Sequence, residues 1–187
     1  MAIFNTVYGG KTMTQTYDFT VSDYWFSFVD TQGWYGRTDW QWFYHYSSPS
    51  SYSQWWALSF PSSAYKGTLK NIHLRIYYPN REHWIGLIEW NNYSNMVRYY
   101  KDVNVNAIWN SSTNTTIPAH TWEVELDFNF DWTSTITGSV WWDNFSLTSS
   151  AFSALYSARE NKNMRIICDA WGTSAAAYIR KISITTE

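Results

Sequence analysis

Two stretches of strict alternation constrain this chain more than any other feature in it. In one, Ile72, Leu74, Ile76 and Tyr78 alternate with Asn71, His73, Arg75 and Tyr77. In the other, Trp122, Val124, Leu126, Phe128 and Phe130 alternate with Glu123, Glu125, Asp127, Asn129 and Asp131. Successive side chains leave opposite faces of a pleated strand, so each stretch has one apolar and one polar face. Burial on one side only belongs to antiparallel strands that keep solvent on the other.

A third region, Tyr24–Phe60, is close to half aromatic, and its rings fall in both phases of the alternation. Both faces of those strands must then be covered, unless one is meant for a partner. Aromatic residues make up 21% of the chain, with 14 Trp, while Ser, Thr and Asn stand where charges would ordinarily be. That balance suits many short strands with polar loops. Further strands are expected over Thr16–Ser22 (Tyr17, Phe19 and Val21 inward), Trp84–Asn91, Met96–Val105, Val140–Leu147, Met164–Ala170 and Tyr178–Thr185. One helix is expected near 150–162, opened by Ser149 and Ser150, with Phe152, Leu155, Tyr156 and Arg159 at helical spacing. About ten strands and one short helix predict an all-β chain, an antiparallel two-sheet β-sandwich of jelly-roll type.

At 187 residues the chain is long enough for one full core. Residues 1–13 differ from the rest: Ile3, Phe4, Val7 and Tyr8 form a small apolar patch that runs into Gly9-Gly10. They are read as an N-terminal anchoring arm, with 14–187 as the sandwich; the plainer reading is a frayed leader or a first edge strand. A net charge of −2 argues against nucleic-acid binding through phosphate neutralisation. No apolar run reaches membrane-spanning length, and the start lacks a signal-peptide pattern. Synthesis in a bacterial cytoplasm and residence in a particle follow as expectations. The single cysteine, Cys168, leaves no internal disulfide framework and reads as a buried thiol.

The opening Met1-Ala2-Ile3-Phe4-Asn5, followed by Val7-Tyr8-Gly9-Gly10, resembles the N-termini of tailed-bacteriophage virion proteins, particularly tail-fibre, baseplate and head-fibre or decoration components. The resemblance covers about ten residues. It implies that the arm holds the protein to other virion proteins and that the following domain faces outward, in the manner of carbohydrate-binding-module-like jelly rolls.

Four features of the sequence could carry chemistry. The ladder Glu123, Glu125, Asp127, Asn129, Asp131 spaces oxygen donors roughly 7 Å apart along one strand face. It reads as a solvated face paired with Arg75 or Lys70 across strands; calcium is the alternative, although Trp132 stands where an EF-hand turn needs Gly. Glu89 shares a strand phase with Ile85 and Leu87, and Trp84–Trp90 resembles the nucleophile strand of small jelly-roll xylanases. That resemblance implies a retaining glycoside hydrolase with Asp169 as the partner carboxylate. The chain departs from the family in having 8 Gly, no Pro-Ser-Ile-Gly-like thumb, and Asp where the family uses Glu. His45, His73, His83 and His120 show no metal-ligand spacing.

The aromatic residues remain. Trp34, Tyr35 and Trp171 are flanked by Gly and are expected on turns; Trp55 and Trp109 lie beside Ser- and Asn-rich loops. These five are the candidate ligand contacts, since exposed contiguous rings mark binding or subunit surfaces. The chain is therefore expected to be a non-enzymatic virion protein, with no cofactor, that displays an aromatic surface to a host glycan or decorates the particle. A homo-oligomer, trimeric by preference, is expected with it. The Glu89 hydrolase and a ligand-free cytosolic scaffold are the alternatives.

Overall fold

The structure is a computed structural model that describes residues 3–6, 12–19, 24, 26–29, 34–38, 41–46, 54–60, 67–78, 83–89, 95–101, 106–110, 113–118, 120, 122–161, 164–170 and 176–187. The strands run β1 (Ile3–Thr6), β2 (Met13–Asp18), β3 (Ser27–Val29), β4 (Trp34–Thr38), β5 (Gln41–Tyr46), β6 (Gln54–Ser59), β7 (Leu69–Tyr78) and β8 (His83–Glu89). They continue as β9 (Met96–Lys101), β10 (Asn106–Asn110), β11 (Thr113–Thr116), β12 (Trp122–Trp132), β13 (Thr135–Val140) and β14 (Asp143–Thr148). Helix α1 (Phe152–Asn161) then precedes β15 (Met164–Ala170) and β16 (Ala176–Thr186).

All strand pairs are antiparallel, and they form two sheets. A nine-stranded sheet has the order β1-β2-β16-β7-β12-β13-β14, with β5 on the early part of β16 and β4 on β5. A seven-stranded sheet has the order β11-β10-β9-β8-β15-β6-β3. The expected two-sheet sandwich of jelly-roll type is what the chain forms.

The alternation read in the sequence locates the core. Ile72, Leu74 and Ile76 on β7 and Val124, Leu126 and Phe128 on β12 are fully buried, facing Ile85 and Leu87 on β8 and Val97 and Tyr99 on β9. Register sets β7 and β12 side by side, Leu74 opposite Leu126 and Arg75 opposite Glu125, so apolar meets apolar on one face and charge meets charge on the other. Helix α1 bridges the sheets, touching β7 on one side and β8, β9 and β15 on the other, through Phe152, Leu155 and Ala158. Ser149 Oγ accepts from the Ala151 amide at 3.2 Å and caps the helix as its sequence suggests.

The seven-stranded sheet is buried on its outer face as well. Ile88, Met96 and Ile167 form a second apolar cluster there, in the phase opposite to Ile85 and Leu87.

Three expectations need correction. Strand number is higher than ten, with sixteen strands among the described residues. Val140–Leu147 is not one strand: β13 ends at Val140, Trp141-Trp142 make a two-residue turn, and β14 begins at Asp143. Trp34 and Tyr35 do not sit on a turn but open β4, where Gly36 is paired opposite Tyr44 and a register shift follows it. Ile3 and Phe4 belong to edge strand β1, opposite Thr16 and Gln15, while Val7 and Tyr8 lie outside the described residues.

Candidate functional site

The polar face of the nine-stranded sheet carries the most organised chemistry in the molecule. Arg75 on β7 holds Glu123 on β12 with two nitrogens: Nε donates to Oε1 at 2.7 Å and an Nη to Oε2 at 2.9 Å. This fork holds the Glu123 carboxyl below the usual carboxylate range. One step along the same face, Asp127 meets His73 at 3.1 Å, and Asn71 donates to both Asp127 and Asn129. Ser139 on β13 adds a donor to Asp127 at 3.4 Å. The acidic ladder is thus tied across strands, as its plainer reading held. Its partners are Arg75, His73 and Asn71, whereas Lys70 pairs with Glu187 at 2.8 Å. Among the described residues no three His, Cys, Asp or Glu side chains gather as a metal-holding group.

The His73–Asp127 pair makes stability depend on pH. The hydrogen bond to Asp127 raises His73 above its ordinary value, against the opposing effect of burial; Glu125 adds to the rise and Lys181 subtracts from it. Burial pushes Asp127 up, but the His73 bond and charge, with Asn71 and Ser139, outweigh it and hold the carboxyl low. The His73 contribution is complete below about pH 6.5, the unfolded value, and fades as pH rises through the raised folded value. The Asp127 contribution is present above about pH 4 and fades as pH falls through the depressed folded value. Both side chains are about a quarter to a third exposed, 26% and 32%, so screening keeps the pair near ~0.5 kcal/mol. Tm should therefore fall by about 1–2 °C more between pH 6 and 8.5 in the parent than in His73→Gln. Parallel profiles would show that the pair does not titrate as its geometry requires.

At one end of this face, Asp18, Arg75, Glu123, Arg180 and Lys181 line an open pocket of about 130 Å³. The five residues come from β2, β7, β12 and β16. Arg180 lies over the Tyr77 ring at 4.9 Å, and the Tyr77 and Tyr178 rings are 6.0 Å apart. Arg180 Nη reaches Glu123 at 3.5 Å, and Lys181 Nζ stands 3.7 Å from Asp18.

The pocket adjoins the Trp141-Trp142 turn through Glu123, whose backbone carbonyl accepts the Trp141 indole N–H at 3.0 Å. The Trp141 amide donates to the Glu125 carbonyl at 2.8 Å. Trp141 takes φ 56°, the left-handed region, which costs an ordinary L-residue about 1–2 kcal/mol. Its two hydrogen bonds, at about 1 kcal/mol each, are of the size needed to offset that strain. A turn with positive φ at its first central residue suits a hairpin, though Gly is the usual occupant. The result is that Trp142 projects with 75% of its surface exposed. The buried His120 ring meets it edge-on at 5.4 Å, and His120 is itself held by Asp143 at 2.9 Å. The side of Trp142 is thereby braced while most of the ring stays open to solvent.

None of these residues is among the five candidate ligand contacts expected from the sequence. Trp171 lies outside the described residues. Trp34 and Tyr35 are in β4, on the flank of the nine-stranded sheet. Trp55 and Trp109 are in the seven-stranded sheet, where register aligns Trp55, Asp169, Trp84 and Tyr100 in one row across β6, β15, β8 and β9. Trp109 is opposite Arg98 in the next row. Trp84 and Tyr100 stack there with centroids 4.1 Å apart, and the Arg98 guanidinium lies 4.2 Å over Trp84. Trp84 and Tyr100 are half-buried and Arg98 is buried, and among the described residues the most exposed ring is that of Trp142. The signal for it was present: two consecutive Trp interrupt an otherwise regular alternation between Val140 and Phe145.

The Glu89–Asp169 pairing of a retaining glycosidase is ruled out by register. On β15, Glu89 is opposite Met164 and Asp169 is opposite Trp84. They are separated by five residues of strand, roughly 17 Å, against the ~5 Å such a pair needs. Glu89 instead accepts from Asn95 at 3.0 Å across the β8–β9 connection.

No family model matches the chain, and no curated protein matches it in sequence. Solved structures match it in fold. An apo Crh5 transglycosylase superposes with a TM-score of 0.61 at 11% identity, covering 92% of this chain and 84% of that one. A lectin from Bauhinia forficata in complex with GalNAc gives 0.55 at 12% identity, covering 92% and 98%. A carbohydrate esterase from the Shiga toxin-encoding bacteriophage phi24B gives 0.53 at 12% identity, covering 87% and 90%. Identities this low establish a shared architecture, one that occurs in carbohydrate-related proteins and in a phage. They also overturn the expectation of a non-enzymatic chain. That expectation rested on missing catalytic motifs, and the same fold serves a transglycosylase and an esterase in chains with almost no shared sequence.

Proposed function

We propose that this protein is a component of a bacteriophage particle whose jelly roll binds a host-surface glycan at the Trp141-Trp142 end of the nine-stranded sheet. The observation that carries the reading is Trp142, a ring 75% exposed and held out by a strained turn whose Trp141 is bonded to Glu123, a residue of the charged pocket. Strain of this kind persists where surrounding contacts enforce it, and it gathers at functional sites. An open indole offers a flat apolar face to a sugar ring, while the neighbouring carboxylate and guanidinium groups suit its hydroxyl rim. The resemblance of the N-terminus to phage virion proteins supports the particle role. Residues 1–13 would supply the anchor, since among the described residues β1 is the outermost strand of its sheet, a position that suits strand addition by another virion protein. A trimer is the assembly proposed with it.

Binding should be measured on a glycan array with the full chain and with Trp142→Ala. Losing a central aromatic contact typically removes about 2 kcal/mol, so affinity for any retained glycan should fall about thirtyfold. The same glycans, incubated with the protein and analysed for cleavage or deacylation, will show whether binding is followed by turnover. A folded protein that binds no glycan, or binds equally well without Trp142, would sink the reading.

A further inference from the structure

We infer that the pocket lined by β2, β7, β12 and β16 takes a carboxylate-bearing sugar, a uronate or a sialate, through Arg180 and Lys181. The inference rests on the glycan reading above and narrows it to acidic ligands.

The argument begins with a β-bulge. On β16, Ile182 and Ile184 face the core, and regular alternation would send Arg180 in with them. A guanidinium without partners in an apolar core is prohibitively costly. Instead the register with β7 shifts between Ile179 and Lys181, so Ile179 takes the core position and Arg180 turns outward beside Lys181. Two consecutive cations thus reach one face of the sheet, which an unbroken strand cannot achieve.

The donors of the pocket are unequally engaged. Arg75 spends its fork on Glu123. Arg180 meets the same carboxylate only at 3.5 Å, and its Nε is buried with no hydrogen-bond partner among the described residues. Lys181 is 3.7 Å from Asp18, longer than a hydrogen bond. The lining carries three cations against two carboxylates, counting Arg75, Arg180 and Lys181 with Asp18 and Glu123. A ligand carboxylate seated between the Arg180 Nη groups and Lys181 Nζ would supply closer acceptors than Glu123 and Asp18 do. Tyr77 and Tyr178 form an aromatic flank beside Arg180, and Asp18 and Glu123 offer acceptors for hydroxyls. A flat ring, hydroxyls and one carboxylate together describe an acidic sugar better than they describe a free anion.

The test uses oligosaccharides ending in a uronate or a sialate, each arrayed beside its carboxyl-reduced form. The parent should bind the acidic form about tenfold to a hundredfold more tightly, the worth of a charge-assisted contact. Arg180→Gln and Lys181→Gln should erase that preference and leave the reduced forms bound as before, while Lys70→Gln, at the Glu187 pair, should keep it. If Arg180→Gln fails to fold, salt decides on the parent alone. Binding of the acidic form must then weaken as NaCl rises from 50 to 500 mM while the reduced form stays level. Equal binding of the two forms, or a preference unaffected by salt and by both substitutions, overturns this inference and leaves the glycan reading standing. No binding of any glycan overturns both.

Discussion

Phe128→Ala is expected to cost about 3–5 kcal/mol of folding stability, the range for deleting a fully buried ring whose cavity cannot collapse. Phe128 is completely buried on β12. Its ring lies 6.0 Å from that of Phe145 in an edge contact, with Gly138 of β13 between them in the register. Strands on both sides are held by ladder hydrogen bonds, so the backbone cannot close in on the space left behind. A domain of this size has a total stability of about 5–15 kcal/mol, and the substitution removes a large share of it. Urea titration should show a much lower midpoint at unchanged slope, and Tm should drop by about 10 °C or more. Phe128→Leu should cost less than half as much. A loss below about 1 kcal/mol for Phe128→Ala would mean that the ring does not anchor the core.

Gly138→Ala is expected to be comparably severe, for the opposite reason. A Cβ at this position would fall on the backbone carbonyl oxygen of Asp127 in the neighbouring strand and 2.8 Å from Phe145 Cζ. The phenyl ring has room to turn, but the carbonyl belongs to β12, which β7 and β13 hold from both sides. Relief therefore requires the strands to part, and a loss of about 3 kcal/mol or more follows from the broken ladder and packing. A double variant separates the two obstacles. Adding Phe145→Ala should not rescue Gly138→Ala, because it removes the ring and leaves the carbonyl. Recovery of stability in the double variant would show that the ring alone forbids a side chain there. Amide exchange along β12 and β13 should speed up in Gly138→Ala before exchange in β8 and β15 does.

Both expectations concern a place that the sequence describes only in part. Alternation identified Phe128 as a core residue on a strand, since that pattern is a local property of the backbone and needs no knowledge of neighbours. It did not identify β13 as a strand, because Thr135–Val140 offers Ile136 and Val140 with a Gly between them. Gly138 is there because a carbonyl and one ring from the two adjacent strands occupy the space a Cβ would need. The Trp141-Trp142 turn was illegible for a related reason. Positive φ is normally announced by Gly, Asn or Asp, and here the contacts of Trp141 with Glu123 and Glu125 enforce it on a tryptophan. Choosing aromatic residues by their flanking glycines consequently led to Trp34 and Tyr35, whose Gly36 lies within a strand.

By itself, then, the sequence determined the all-β class, the sandwich, the inner faces of β7 and β12, and the helix with its serine cap. Each of these follows from a period or a cap carried by a few consecutive residues. The tertiary structure alone decided that Asp18, Arg75, Glu123, Arg180 and Lys181 meet in one pocket. It also decided that Arg180 leaves the core and that Trp142 is held out into solvent. The physical reason is that strand order, a bulge and a strained turn are settled by long-range pairing, as between Glu123 and Arg180, 57 positions apart in the chain. No local pattern records which distant strand will lie alongside.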